Sequence, residues 1–251
     1  MLALAYRNLV EGPRGLGDDV RAVRRVFSHA ERDVRRRVQS LSTESLLLDL
    51  MELVSGRPSS EWQVTRNQDG KPTLTSPEGQ SLIDVSSSHS GTLALAGITD
   101  LGEIGVDLEY RDPRRSISEI AAYAFGPQEQ RVVESVGPGA FYRIWTLREA
   151  LAKACGIGFP MLIDGRDYFA QPLKAGTWQS QIDGRRWLFS TGDLPGDYVF
   201  SIALAPRAPL DADCEANLTP RQIVRGTNES KEYDPSADGF GSVRMRSNGK
   251  T

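Results

Sequence analysis

The hydrophobic positions change their period several times along the chain, and each change marks an element. Val20, Val23, Val26 and Phe27 recur at helical spacing in a stretch that also carries Arg21, Arg24, Arg25, Arg32, Arg35, Arg36 and Arg37, which predicts a basic helix over residues 18–37. Thr43 followed by Glu44 has the chemistry of a helix start. Leu46, Leu47, Leu50, Met51 and Val54 then form an apolar stripe ending at Gly56, so a second helix is expected there. Residues 70–90 read as a loop, because Asp69-Gly70, Pro72, Pro77 and Gly79 carry turn chemistry. Residues 92–98 and 103–109 are two short β-compatible runs around Thr99-Asp100-Leu101-Gly102, which predicts a hairpin or two adjacent strands.

Residues 110–116, with Pro113 and three arginines, suit a crossing between two halves. Helical spacing returns over 117–125 and 128–136. After Gly137-Pro138-Gly139 it returns again over 141–155, where Gly156 is the natural residue to end the helix. Residues 178–182, 186–190 and 198–205 alternate like antiparallel strands, with Asp183-Gly184 as a hairpin turn. The stretches 91–96 and 196–203 resemble one another, a hint of two similar halves. Beyond Pro206 large apolar residues become scarce, so residues 207–251 are expected to be a polar, disordered tail.

Composition narrows the class. Thirty Lys and Arg against 33 Asp and Glu in 251 residues give a net charge of −3, which excludes a strongly basic nucleic-acid binder. The longest apolar run, near residues 93–98, falls far short of the roughly 20 residues that cross a bilayer. The opening MLALAY has no basic flank of the signal-peptide kind, so a cytoplasmic protein without a membrane partner is expected. Cys155 and Cys214 are widely separated and read as ordinary thiols.

The candidate chemistry lies in two short segments. Asp107 and Glu109, spaced i, i+2 on an extended strand, project from one face and could together share a hard cation; alone, such a pair reads more readily as solvated strand-end residues. Glu149 and Lys153, at i, i+4 on a helix, share a face, and taken singly they read as a surface ion pair.

Taken together, Gly105-Val106-Asp107-Leu108-Glu109 and the segment Trp145-Thr146-Leu147-Arg148-Glu149-Ala150-Leu151-Ala152-Lys153 resemble the two signature motifs of the 4′-phosphopantetheinyl transferases, most closely the Sfp-like group. Gly70-Lys71-Pro72, Ser88-His89-Ser90 and Ala124-Phe125-Gly126-Pro127-Gln128-Glu129 are similar to further family segments in the same order. Arg148 stands where relatives usually carry lysine.

The resemblance implies an α+β fold with two similar halves in one chain, a pseudo-dimer. Each half is a small antiparallel sheet packed with a long helix, with the active site at the junction. It divides the chain into an N-terminal half (1–112), a C-terminal half (113–206) and the tail. It implies an enzyme of the holo-[acyl-carrier-protein] synthase type that moves the 4′-phosphopantetheine arm of coenzyme A to a serine of an acyl or peptidyl carrier protein, releasing adenosine 3′,5′-bisphosphate. Mg²⁺, with Mn²⁺ as a substitute, would be held by Asp107, Glu109 and Glu149. By the same resemblance Glu149 is the base and Lys153 stabilises the departing phosphate, while Lys71, Ser88 and His89 contact coenzyme A. Arginines of the 24–37 cluster, Arg24 and Arg25 among them, suit its 3′-phosphate, and a monomer is expected. The alternative from a different class is a catalytically silent coenzyme A or nucleotide binding protein on the same fold.

Overall fold

The structure is a computed structural model that describes residues 1–9, 32–76, 78–169, 176–210 and 224–225. Strand β1 (Leu2–Asn8) precedes a long helix α1 (Arg32–Ser55). After a single 3-10 turn come strands β2 (Gln63–Arg66), β3 (Pro72–Ser76), β4 (Gly79–Ser90), β5 (Leu93–Thr99) and β6 (Gly102–Tyr110). Helices α2 (Ile117–Ala124), α3 (Pro127–Val136), α4 (Pro138–Cys155) and the short α5 (Phe159–Leu162) follow. Strands β7 (Gly176–Ile182), β8 (Arg185–Leu194), β9 (Tyr198–Pro206) and β10 (Val224–Arg225) close the described chain.

The strands form two sheets, one ordered β10-β1-β5-β4-β3-β2 and the other β6-β9-β8-β7. All ladders are antiparallel except that β10 runs parallel to β1. Alternation of side chains builds three core layers. On β1, Leu2, Leu4 and Tyr6 face the second sheet, where they meet Ile104, Val106 and Leu108 of β6 and Phe200, Ile202 and Leu204 of β9. The small Ala3 and Ala5 face the other way and let α1 settle close, through Leu46, Leu47, Leu50 and Met51. On the far side of the second sheet, Val199, Ala203 and Ala205 of β9 receive Phe141, Ile144, Leu147 and Leu151 of α4. The order of layers is therefore α1, first sheet, second sheet, α4.

Several elements match the sequence reading. Gly56 and Gly156 end α1 and α4 with φ of 72° and 70°, the left-handed conformation in which glycine avoids a Cβ penalty. Asp183 (φ 49°) and Gly184 (φ 75°) make the expected tight turn between β7 and β8. Others differ. The stretch 70–90 is not a loop but contains β3 and the 12-residue β4. Pro72 and Gly79 begin β3 and β4, and the polar run 86–90 is strand, laddered to β5 while the Ser86 and Ser90 side chains bond to β6. Residues 92–98 and 103–109 do not form a hairpin: β5 pairs with β1 and β4, whereas β6 pairs with β9. Thr43 starts no helix. It lies inside α1, with its hydroxyl donating to the Ser40 carbonyl at 2.7 Å. Pro138, read as part of a stop, is the first residue of α4, where its missing N–H costs nothing. Within the expected tail, Val224 and Arg225 pair with Ala5 and Tyr6. Among the described residues no helix is long and apolar enough to cross a membrane.

Candidate active site

A polar cleft of about 330 Å³ opens where α1, β2, β4, β6 and α4 approach one another. Strand β6 supplies Asp107 and Glu109 and α4 supplies Glu149 and Lys153; Ser87, Ser88 and His89 come from β4, Ser40 and Thr43 from α1, and Arg66 from β2. The apolar residues 104, 106 and 108 of β6 turn into the core between the sheets, so its alternate residues 105, 107 and 109 face α4. The close approach depends on Gly105, where a Cβ would lie 1.8 Å from the Ala150 carbonyl oxygen. With the helix pressed this near, Glu149 and Lys153 stand over the two strand carboxylates.

Asp107 is buried. Its Oδ1 accepts from the Ser88 hydroxyl at 2.8 Å and pairs with the Lys153 ammonium at 2.7 Å, while Lys153 also donates to Ser88 Oγ at 2.9 Å. The other oxygen, Oδ2, is buried without a hydrogen-bond partner among the described residues. Glu109 accepts at Oε2 from Ser90 and from Arg115, each at 3.1 Å. Burial, then repulsion from Asp107, raises the Glu109 pKa above the ordinary carboxyl value. For Glu149 the same two causes, with Glu109 adding to them and Lys153 opposing, push the pKa up to about 7. The His89 pKa is lowered, first by desolvation against the cleft wall and then by the Lys153 ammonium, which favours the neutral ring.

Among the described residues no three His, Cys, Asp or Glu side chains are drawn together as a ready metal-holding group. The donor chemistry nevertheless fits a hard divalent cation. The three carboxylates offer only oxygen, Asp107 raises the pKa values of Glu109 and Glu149, and one buried oxygen of Asp107 stands without a partner among the described residues while an ammonium covers the other.

Asp107, Glu109, Glu149, Lys153, Ser88 and His89 are thus brought together as the sequence suggests. Lys71 is not part of this lining. Its ammonium pairs with Asp84 at 2.6 Å and reaches the Ala154 carbonyl at 3.4 Å, tying the β2–β3 turn to the end of α4. Arg24, Arg25, His29 and Cys214 lie outside the described residues. Sequence reasoning missed Ser40, Thr43 and Arg66, which reach the cleft only through tertiary packing, and Arg115, the cation beside Glu109. No local pattern marks any of them.

Arg148, next to Glu149, points away from the cleft. Only 1% exposed, it pairs with Glu129 at 2.8 Å and with Asp164 at 3.1 Å. It also donates to the carbonyls of Ala124, Met161, Leu162 and Arg166. Glu129 in turn accepts from the amides of Tyr168 and Phe169. The segment 124–129 therefore supports α4 from behind.

A family model described as the 4′-phosphopantetheinyl transferase superfamily matches residues 103–203, which run from β6 through α4 to β9. Over this stretch the chain is similar to the 4′-phosphopantetheinyl transferase superfamily. It is similar to the Synechocystis protein slr0495, at 39% identity over 101 residues, covering 38% of this chain and 40% of that protein. The 4′-phosphopantetheinyl transferase HetI of Nostoc is 35% identical over 97 residues, covering 37% of this chain and 41% of HetI. A longer match reaches the phosphopantetheinyl transferase of Thraustochytrium, at 24% identity over 205 residues, 74% of this chain and 67% of that protein. The matches to the first two relatives span about two fifths of those proteins' length.

Proposed function

We propose that this chain transfers the 4′-phosphopantetheine arm of coenzyme A to a serine hydroxyl of an acyl or peptidyl carrier protein, with Mg²⁺, releasing adenosine 3′,5′-bisphosphate. It does so as a cytoplasmic monomer of the Sfp-like group. The observation that carries this reading is the gathering of Asp107, Glu109 and Glu149 from two elements around one cleft, beside the ammonium of Lys153. The two sheets support the two-halves reading: β1-β5-β4-β3 and β6-β9-β8-β7 each join their first strand to their last and continue backwards, and each half places a long helix after its first strand. The cleft then lies where β4 of one sheet meets β6 of the other and α4, so that in this reading the halves divide before β6 rather than at residue 112.

In this reading the serine hydroxyl attacks the phosphorus that bears the pantetheine arm, and its bond to the adenosine bisphosphate oxygen breaks. Glu149, with a pKa near neutrality, is suited to take the serine proton. Lys153 and the Arg66 guanidinium bring positive charge to the phosphates on two sides of the cleft, and a neutral His89 offers a ring N–H donor without adding charge. Asp107, Glu109 and Glu149 would hold Mg²⁺, which when bound neutralises pyrophosphate oxygens and makes the phosphorus more electrophilic. Lys71 serves as a strut through Asp84, and residues of the cluster around Arg24 and Arg25 remain the candidates for the 3′-phosphate.

The test is to incubate the protein with coenzyme A, Mg²⁺ and an apo carrier domain, then weigh the carrier by mass spectrometry. Conversion of its serine to the phosphopantetheinylated form supports transfer. Coenzyme A binding without any mass shift would select the silent binding protein instead.

A further inference from the structure

Strand β6 is the edge of its sheet: β9 occupies one side, and the backbone on the other side faces β4 of the first sheet. No β4–β6 ladder forms. Instead, the alternate side chains of β4 bond across in steady register. Asp84 Oδ2 accepts from the Ile104 amide at 2.7 Å, Ser86 Oγ from the Val106 amide at 3.0 Å, and Ser90 Oγ from the Tyr110 amide at 2.9 Å. An unpaired buried amide is costly, so these three acceptors account for the run of small polar residues on β4.

Two hydroxyls on this row do something more. Ser88 donates to Asp107 Oδ1 at 2.8 Å, and Ser90 donates to Glu109 Oε2 at 3.1 Å. Both pairs are separated by 19 residues, so the i, i+2 spacing of the serines on β4 mirrors that of the carboxylates on β6. A serine hydroxyl has one hydrogen to give. The Ser88 hydrogen is committed to Asp107, and its oxygen already accepts from Lys153, so in this arrangement it has none to offer a phosphate oxygen.

We propose that Ser88 and Ser90 are positioning residues that aim the Asp107 and Glu109 carboxylates at the bound cation. This rests on the transfer reading above and adds to it two residues whose task is orientation. Strand β4 is the firm support, since the stretch that carries both serines is laddered to β5, with Ser88 opposite Leu95 and Ser90 opposite Leu93. In each carboxylate the oxygen that takes the hydroxyl also takes a cation, Lys153 at Asp107 Oδ1 and Arg115 at Glu109 Oε2. Without the hydroxyl, that oxygen is held only by a long, flexible cationic side chain, and the carboxylate loses its fixed orientation toward the metal. Loss of such outer hydrogen bonds costs 10–100-fold in metal affinity or activity as an order of magnitude.

The experiment compares wild type with Ser88→Ala, Ser90→Ala, Ser86→Ala and Ser90→Thr. Mn²⁺ binding is followed by electron paramagnetic resonance with coenzyme A present and no carrier, so that nothing turns over, and melting temperature is measured alongside. Ser86 belongs to the same seam but bonds only an amide, so its variant reports the structural share. The expected result is Mn²⁺ affinity weakened about tenfold in Ser88→Ala and Ser90→Ala, near wild type in Ser86→Ala and restored in Ser90→Thr. The proposal is overturned if Mn²⁺ affinity in the two alanine variants stays within about twofold of wild type. It is overturned for Ser88 if only its Michaelis constant for coenzyme A rises. Failure of wild type itself to bind Mn²⁺ or to transfer would bring down the transfer reading, and this inference with it.

Discussion

Glu149 is a carboxyl group held partly neutral by burial and then by the neighbouring Asp107, and this has consequences for both chemistry and stability. Its pKa in the folded protein, about 7, lies above the ordinary 4.5, so between these values the folded state binds more protons than the unfolded state. Stability from this source is complete below about pH 4.5 and is lost as pH rises through about 7. Metal-free protein should therefore melt a few degrees lower at pH 8 than at pH 5.5, and Glu149→Gln should flatten that difference, as circular dichroism melts would show. In the transfer assay Glu149→Gln should lower turnover by about 10²- to 10⁴-fold, the range for a lost general base, while coenzyme A still binds in calorimetry. Wild-type turnover in that variant would remove Glu149 from the role of base. The strand pair Asp107 and Glu109 and the helix pair Glu149 and Lys153 were legible in the sequence because each is set by a local period of two or of about four. Ser40, Thr43 and Arg66 were not, since what brings them to the cleft is the packing of α1 and β2 against β4, and Lys71 was misleading because its turn chemistry gave no sign of Asp84 as its partner.

The element on which the site depends most is α4, and two contacts fix its height over β6. Gly105 allows the helix backbone to touch the strand, and a Cβ there would meet the Ala150 carbonyl oxygen at 1.8 Å. Gly105→Ala should cost about 1–3 kcal/mol by overpacking and should lift Glu149 from Asp107, so transfer should fall together with the urea midpoint. On the opposite side, Arg148 joins α4 to α3 and to the segment after α5 through an ion pair with Glu129 at 2.8 Å. Arg148→Ala leaves that buried carboxylate unpaired and should cost about 3–5 kcal/mol in urea denaturation. A loss under 1 kcal/mol would mean that the carbonyls and amides around it hold the region without the guanidinium. Helix spacing made α4 easy to read, because its apolar face repeats over 18 residues. Strand β4 was hard to read for the opposite reason: its serines look like loop residues until the edge amides of β6 are placed opposite them. The expected hairpin between β5 and β6 followed from their adjacency in sequence, yet the apolar residues of β6 are buried best between the sheets, and its backbone is taken by β9.

At the scale of the whole molecule, β10 pairs with Ala5 and Tyr6 on the outer edge of β1, an apolar strand whose residues Leu2 to Tyr6 are all buried. Truncation after residue 210 should expose that edge. Transfer to a generic carrier should persist, while size-exclusion chromatography at high concentration should show new oligomers, as an uncovered strand edge invites pairing with another copy. A truncated protein that stays monomeric would make β10 dispensable for solubility.

The side-chain seam between the sheets also bears on how the molecule opens. Backbone amides in β5 and β9 are locked between two neighbouring strands, and their deuterium uptake should await global unfolding. The amides of Ile104, Val106 and Tyr110 are held instead by a carboxylate and two hydroxyls, whose side chains rotate away without any strand separating. These three protons should exchange through small local openings and faster than their burial suggests. The strand that carries Asp107 and Glu109 would thus breathe more readily than β5 and β9, which are laddered on both sides.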